Sequence, residues 1–182
     1  MGADVGDAVD AVDPDPPEAR WLDEDERAAW LDLVFLTNLL PAALDAQLQR
    51  DAGLTHFDYM VLSQLSEAPE RRARMSDLAT GTSATLSRLS HVVAKLERRG
   101  WVERSTSPTD RRTTIASLTD AGWRKVVDTA PGHVEAVRTL VLDPLDATQV
   151  RQLRDACSAI VDRLDPDDRL RSLVADHDAP SV

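Results

Sequence analysis

Residues 89–104 read Leu89-Ser90-His91-Val92-Val93-Ala94-Lys95-Leu96-Glu97-Arg98-Arg99-Gly100-Trp101-Val102-Glu103-Arg104. Within this stretch the chain passes from a helical period to an extended one. Leu89, Val92, Val93 and Leu96 recur at spacings of three and four, which puts them on one side of a helix beginning at about Thr85. Gly100 stands where a left-handed residue closes such a helix. After it come residues 101–105, then Thr106-Ser107-Pro108-Thr109-Asp110, then residues 111–118. Apolar and β-branched residues on either side of a Ser/Pro/Asp-rich centre predict a β-hairpin.

The other faces of that helix carry Ser87, Arg88, Ser90, His91, Ala94 and Lys95, behind Thr85 at its start. Short hydroxyl side chains permit close approach to a duplex, and arginine reaches phosphates or the N7 and O6 acceptors of guanine. Arg111 and Arg112 adjoin one another at the hairpin turn, where their mutual repulsion is relieved by an anion such as a narrow minor groove. Charge bookkeeping points the same way. The 182 residues carry a net charge of −11, which argues against a polyanionic partner, but residues 71–112 hold ten Arg or Lys against four acids, a local +6. Screening limits the reach of charge to about 8 Å at physiological salt, so the acidic remainder does not cancel this patch. The competing reading of such a run is a solvated surface.

Outward from the centre, residues 1–20 carry six acids and three prolines with little periodicity, and read as a disordered leader. Asp23 with Glu26 forms a helix start, followed by Trp30, Leu33, Val34, Thr37, Leu40, Leu44 and Leu48 at helical spacing, with Pro41 expected to kink or break the helix. Gly53 and Thr55 open a second helix of about 12 residues carrying Phe57, Met60, Val61, Leu62 and Leu65, closed by Pro69. Ser76 is expected to cap a short third helix. Thr119 begins a long helix to about Leu142, interrupted near Pro131-Gly132. Asp146 and Gln149 start a last helix, on which Val150, Leu153, Cys157, Ile160 and Leu164 form a seam for another helix or a second chain. The whole is expected to be mainly α with a small β-hairpin.

Several classes are excluded by composition. No continuous apolar stretch of about 18 residues and no basic-then-apolar leader is read, so neither a membrane span nor a secretory signal is expected. Cys157 is the sole cysteine, which excludes an intramolecular disulfide and fits a reducing cytoplasm. His56, His91, His133 and His177 are too scattered for a metal signature, and no nucleophile motif or phosphate-cradling glycine loop is present. No catalysis, cofactor or metal is expected.

The stretches 53–62, 89–104 and 110–122 together resemble the MarR family of winged helix-turn-helix regulators, over roughly residues 22–165. The resemblance implies a winged helix-turn-helix with N- and C-terminal dimerisation helices: residues 21–52 and 119–166 for dimerisation, 53–118 for the DNA-binding lobe, 167–182 as a tail. It implies a homodimeric transcriptional regulator, a repressor, of double-stranded DNA at a pseudo-palindromic operator. Thr85, Ser87, Arg88, Ser90, His91 and Lys95 would touch DNA from the recognition helix, and Arg111 and Arg112 from the wing. A small aromatic or amphipathic effector would enter a pocket lined by Trp30, Phe35, His56 and Tyr59, although most of Trp21, Trp30, Phe35, Phe57 and Tyr59 read first as core. Cys157 would serve as a buried small hydrophobe rather than an oxidation sensor. Two departures stand out: Thr82-Ser83-Ala84 occupies a turn where larger apolar residues are common, predicting looser packing, and His91 replaces a common arginine. The alternative is a winged-helix dimer that contacts proteins instead of DNA.

Overall fold

The computed structural model describes residues 19–167, so most of the expected leader, nearly all of the tail and His177 lie outside it. Six helices and three strands follow in order: α1 (Glu24–Ala52), α2 (His56–Glu67), β1 (Arg72–Arg74), α3 (Met75–Gly81), α4 (Leu86–Arg98), β2 (Val102–Thr106), β3 (Thr114–Leu118), α5 (Asp120–Val137) and α6 (Ala147–Leu164). The mainly α expectation holds. The chain divides into two compact units, Met1–Leu36 and Thr37–Val182. In the first, Trp21 ahead of α1 and Trp30 and Phe35 on its opening turns are exposed, so these aromatics are not core in the single chain.

Helix starts follow local hydrogen bonding. Asp23 and Glu26 exchange side-chain-to-backbone bonds at 2.8 and 3.0 Å, and Thr55/Asp58 and Asp146/Gln149 form capping boxes that satisfy otherwise orphaned amides. The expected cap at Ser76 is wrong. Arg74 is the residue before α3, which lets that helix begin directly from β1, and the Ser76 hydroxyl donates to Asp77 instead. Pro41 and Pro131 both lie inside continuous helices. After Pro41, burial of Leu44, Gln47 and Leu48 offsets the lost hydrogen bond; past Pro131, α5 runs on into a π-helical turn at Arg138–Leu142. α1 is also more apolar than its sequence reading allowed, with an 18-residue window of mean hydropathy 1.3. By length and composition it could span a bilayer; only 6% of that window is buried in the single chain, while Leu44 and Leu48 are buried toward the C-terminal end of the helix.

The core of the second unit joins Leu48, Leu54, Val61, Leu62 and Leu65 to Leu78 of α3, to Leu89, Val93 and Leu96 of α4, and to Val102, Ala116 and Leu118 of the sheet. Strand order is β1-β3-β2, all antiparallel, with Ala73 opposite Ala116 and Val102 opposite Leu118. The sequence reading had only the β2–β3 hairpin. Between α3 and α4, Thr82 is buried and donates its hydroxyl to the Leu78 carbonyl at 2.8 Å, while Ser83 takes a left-handed φ of 49°. The turn is thus tied by a side-chain hydrogen bond where looser packing was expected. Along α6 no residue is buried, and Cys157 is exposed, because no described residue covers the seam.

Candidate nucleic-acid interface

At 100° per residue, α4 sorts into three stripes. Leu89, Val93 and Leu96 form the buried one. Ser87, His91 and Arg98 are exposed and, with half-buried Ala94, recur at spacings of four, three and four; half-buried Ser90 borders them. Arg88, Lys95 and Arg99 lie on a third stripe, within about 40° of one another. Thr85 caps the helix, its hydroxyl accepting from the Arg88 amide at 3.3 Å. Arg98 was not among the residues selected from sequence, although its spacing from Ser87, His91 and Ala94 could have revealed it.

The loop between β2 and β3 is held by backbone and short polar groups rather than by its arginines. Ser107 N donates to the Thr113 carbonyl at 2.9 Å, and Asp110 accepts from the Arg112 amide at 3.0 Å and the Thr113 hydroxyl at 2.8 Å. Those bonds, the Arg112 amide foremost, hold the Asp110 carboxyl below the usual carboxylate range. Arg111 and Arg112 are exposed, and neither makes a side-chain ion pair among the described residues. Between wing and helix lies a cleft of about 260 Å³ lined by Met75, Ser76, Leu86, Ser90, Arg104 and residues 112–114. Structure thus brings Ser90 and Arg112 to one cleft from opposite sides.

Much of the basic patch is engaged internally. Arg71 stacks over Trp123 at 4.0 Å, Arg72 pairs with Glu70, and Arg104 donates to Glu97 at 2.5 and 3.0 Å, which lowers the Glu97 carboxyl. Lys95, expected at DNA, instead bonds Asp58 at 2.5 Å. Arg88 is exposed, with its guanidinium 4.2 Å over the Phe57 ring. Among the described residues of the patch, Arg74, Arg88, Arg98, Arg111 and Arg112 are exposed and donate to no acceptor through their side chains.

Of the residues expected to line a ligand pocket, Trp30 and Phe35 are more than half exposed, whereas Tyr59 is buried and His56 half-buried. The latter two meet His133 of α5, its ring 4.6 Å from Tyr59 and 6.2 Å from His56. Two histidines remote in sequence are therefore neighbours. Burial lowers both imidazoles below their ordinary value, with Asp45 partly opposing this at His56 and His56 adding to it at His133; burial also raises the Tyr59 phenol. Depressed folded values mean that the neutral rings stabilise the fold. That stability is complete above the unfolded value of about 6.5 and is lost as pH falls through the folded values. Urea midpoints should accordingly drop between about pH 7.5 and 5, and drop less in His133→Asn. An identical decline in the two proteins would remove this cluster as the cause.

Comparison with known proteins follows this geometry. Residues 54–114 match the model of the MarR family. The fold is similar to the crystal structure of Sco3205, a MarR family transcriptional regulator from Streptomyces coelicolor in complex with DNA, at 44% identity and a TM-score of 0.77, covering 82% of this chain and 93% of that one. It is similar also to AbsC, a MarR family transcriptional regulator of the same organism, at 38% identity and a TM-score of 0.75, covering 80% and 98%. The transcriptional repressor MprA of Escherichia coli is 26% identical over 113 residues, 62% of this chain and 64% of MprA. The chain spans between 54% and 64% of the length of the curated relatives it matches.

Proposed function

The chain belongs to the MarR family of transcriptional regulators, and from that premise we propose that it binds double-stranded DNA sequence-specifically, as a homodimeric repressor in the cytoplasm, and catalyses no reaction. One observation carries the reading: Ser90, bordering the exposed Ser87/His91 face of α4, shares a cleft with Arg112 of a wing whose Arg111 and Arg112 side chains are exposed and have no acceptor among the described residues. Hydroxyls and imidazole suit base edges in a major groove, and paired guanidinium groups suit phosphates or a narrow minor groove. Thr85, Ser87, Ser90, His91 and Arg98 are the helix residues assigned to DNA, while Arg88, also expected there, lies over the Phe57 ring. The DNA complex of Sco3205 and the repressor name of MprA support the same reading.

Dimerisation is supported by apolar side chains left bare in the single chain, among them Leu39 on α1 and Ile160 and Leu164 on α6. A two-fold dimer would present two α4 helices about one helical turn apart, so the operator should be a short pseudo-palindrome. Leu39→Glu combined with Ile160→Glu should yield a folded monomer by light scattering and abolish cooperative operator binding. A dimer of unchanged mass would rule these faces out of the interface.

A small aromatic or amphipathic effector belongs to the proposal as well. Its candidate site shifts to His56, Tyr59 and His133, where the buried His133 Nδ1 and Gln47 Oε1 find no hydrogen-bond partner among the described residues. Screening such compounds for a change in DNA affinity tests it. For the central claim, fragments bound from random duplex DNA should be enriched in a two-half-site palindrome. Lack of enrichment would favour a module that contacts proteins.

A further inference from the structure

Three cations on one stripe of α4 all turn toward the entry of α2. Arg88 lies over Phe57, Lys95 bonds the Asp58 carboxylate, and Arg99 donates to the Gly53 carbonyl at 2.9 Å. Their spacing of seven and four residues keeps them aligned along the helix. Asp58 is 1% exposed and serves two partners through one oxygen: its Oδ2 accepts from the Thr55 amide at 2.9 Å as well as from Lys95. The same carboxylate that starts α2 therefore grips α4 from 37 residues away. Rotating α4 about its axis would pull all three cations from their acceptors at once and would leave a buried carboxylate without a cation.

Resting on the proposed DNA-binding function, we propose that Asp58 and Lys95 are positioning residues, which set the rotation of the recognition helix so that Ser87, His91 and Arg98 face the groove. Lys95 itself contacts no phosphate. Asp58 cannot reach DNA at all, being buried, so any effect of replacing it on recognition passes through α4. A cation that merely neutralised phosphate would act otherwise: its removal weakens binding to every sequence and lowers the slope of log K against log salt.

The test uses the full chain as Lys95→Met, Asp58→Asn and the double variant, with Lys95→Arg as the conservative replacement. Asparagine keeps an oxygen for the Thr55 amide, so α2 retains its cap. Each protein is confirmed folded at the assay temperature, and affinities for the selected operator and for random duplex are measured across salt. Positioning predicts a loss of about tenfold for the operator, little change for random duplex and an unaltered salt slope. It predicts further that the double variant loses no more than either single one, and that Lys95→Arg recovers most of the affinity. Loss on both DNAs with a reduced slope would make Lys95 a phosphate contact and overturn the proposal, as would additive losses or unchanged operator affinity. Should Asp58→Asn not fold, the slope and the operator-to-random ratio of Lys95→Met decide alone. A wild-type chain that prefers no sequence would instead refute the DNA-binding reading, a distinct result.

Discussion

Gly122→Ala should destabilise the protein by about 3 kcal/mol, whereas Gly132→Ala, ten residues later on the same helix, should be neutral or stabilising by up to about 1 kcal/mol. Alanine is the better helix former, so propensity favours both changes. Surroundings decide the sign. A Cβ at Gly122 would run into the Trp101 carbonyl oxygen, far inside van der Waals contact, and would sit 2.7 Å from Leu118 Cδ1. At Gly132 the nearest atom is Gln47 Nε2 at 3.6 Å, an ordinary contact. The Trp101 carbonyl is also poorly placed to yield. It accepts from the Thr119 amide at 3.0 Å, while the Thr119 hydroxyl donates to Gly100 at 2.7 Å and caps α5 through Gly122 N. One clamp thus fixes the end of α4, the start of β2 and the first turn of α5. Urea titrations of the two variants beside wild type check the pair. Equal midpoints for Gly122→Ala and Gly132→Ala would show that the clamp gives way easily.

The features legible in sequence were those made by near neighbours. Thr55 and Asp58, or Asp146 and Gln149, are three residues apart, and their capping boxes form as their spacing suggests. The α4 core stripe and the β2–β3 hairpin likewise depend on local period. β1 was missed because Arg72-Ala73-Arg74 carries no pattern of its own; β3 makes it a strand by pairing Ala73 with Ala116. The Asp58 partner of Lys95 was missed for a related reason. A lysine on a polar helical face looks the same in sequence whether it meets water, a phosphate or a carboxylate brought in by another helix. Trp30 and Phe35 illustrate the converse, since an amphipathic period says that a face is apolar and not whether this chain covers it. Arg111 and Arg112 fall at the turn of the hairpin as read, because a turn tip is itself a local feature.

Arg111→Ala with Arg112→Ala is expected to weaken operator binding by at least 100-fold near 0.1 M salt and to reduce the salt slope by about 3. A dimer brings two wings, so four cations are removed from the complex. Each phosphate neutralised contributes about 0.9 to the slope, hence about 0.9 decade of affinity at salt one decade below 1 M. Four such contacts would amount to between three and four decades; incomplete engagement of exposed, flexible arginines lowers the expectation to the stated bound. The fold should not respond, because the tip is held by Ser107, Asp110 and Thr113 and not by either guanidinium. Melting curves of variant and wild type should therefore coincide. The contrast with Lys95→Met is the most informative part of the experiment: wing variants should lose affinity for operator and random duplex alike and flatten the slope, while the helix variant should lose operator affinity alone. If the double wing variant kept both its affinity and its slope, the loop over residues 107–113 would not lie on DNA, and the +6 segment would be no more than a solvated surface.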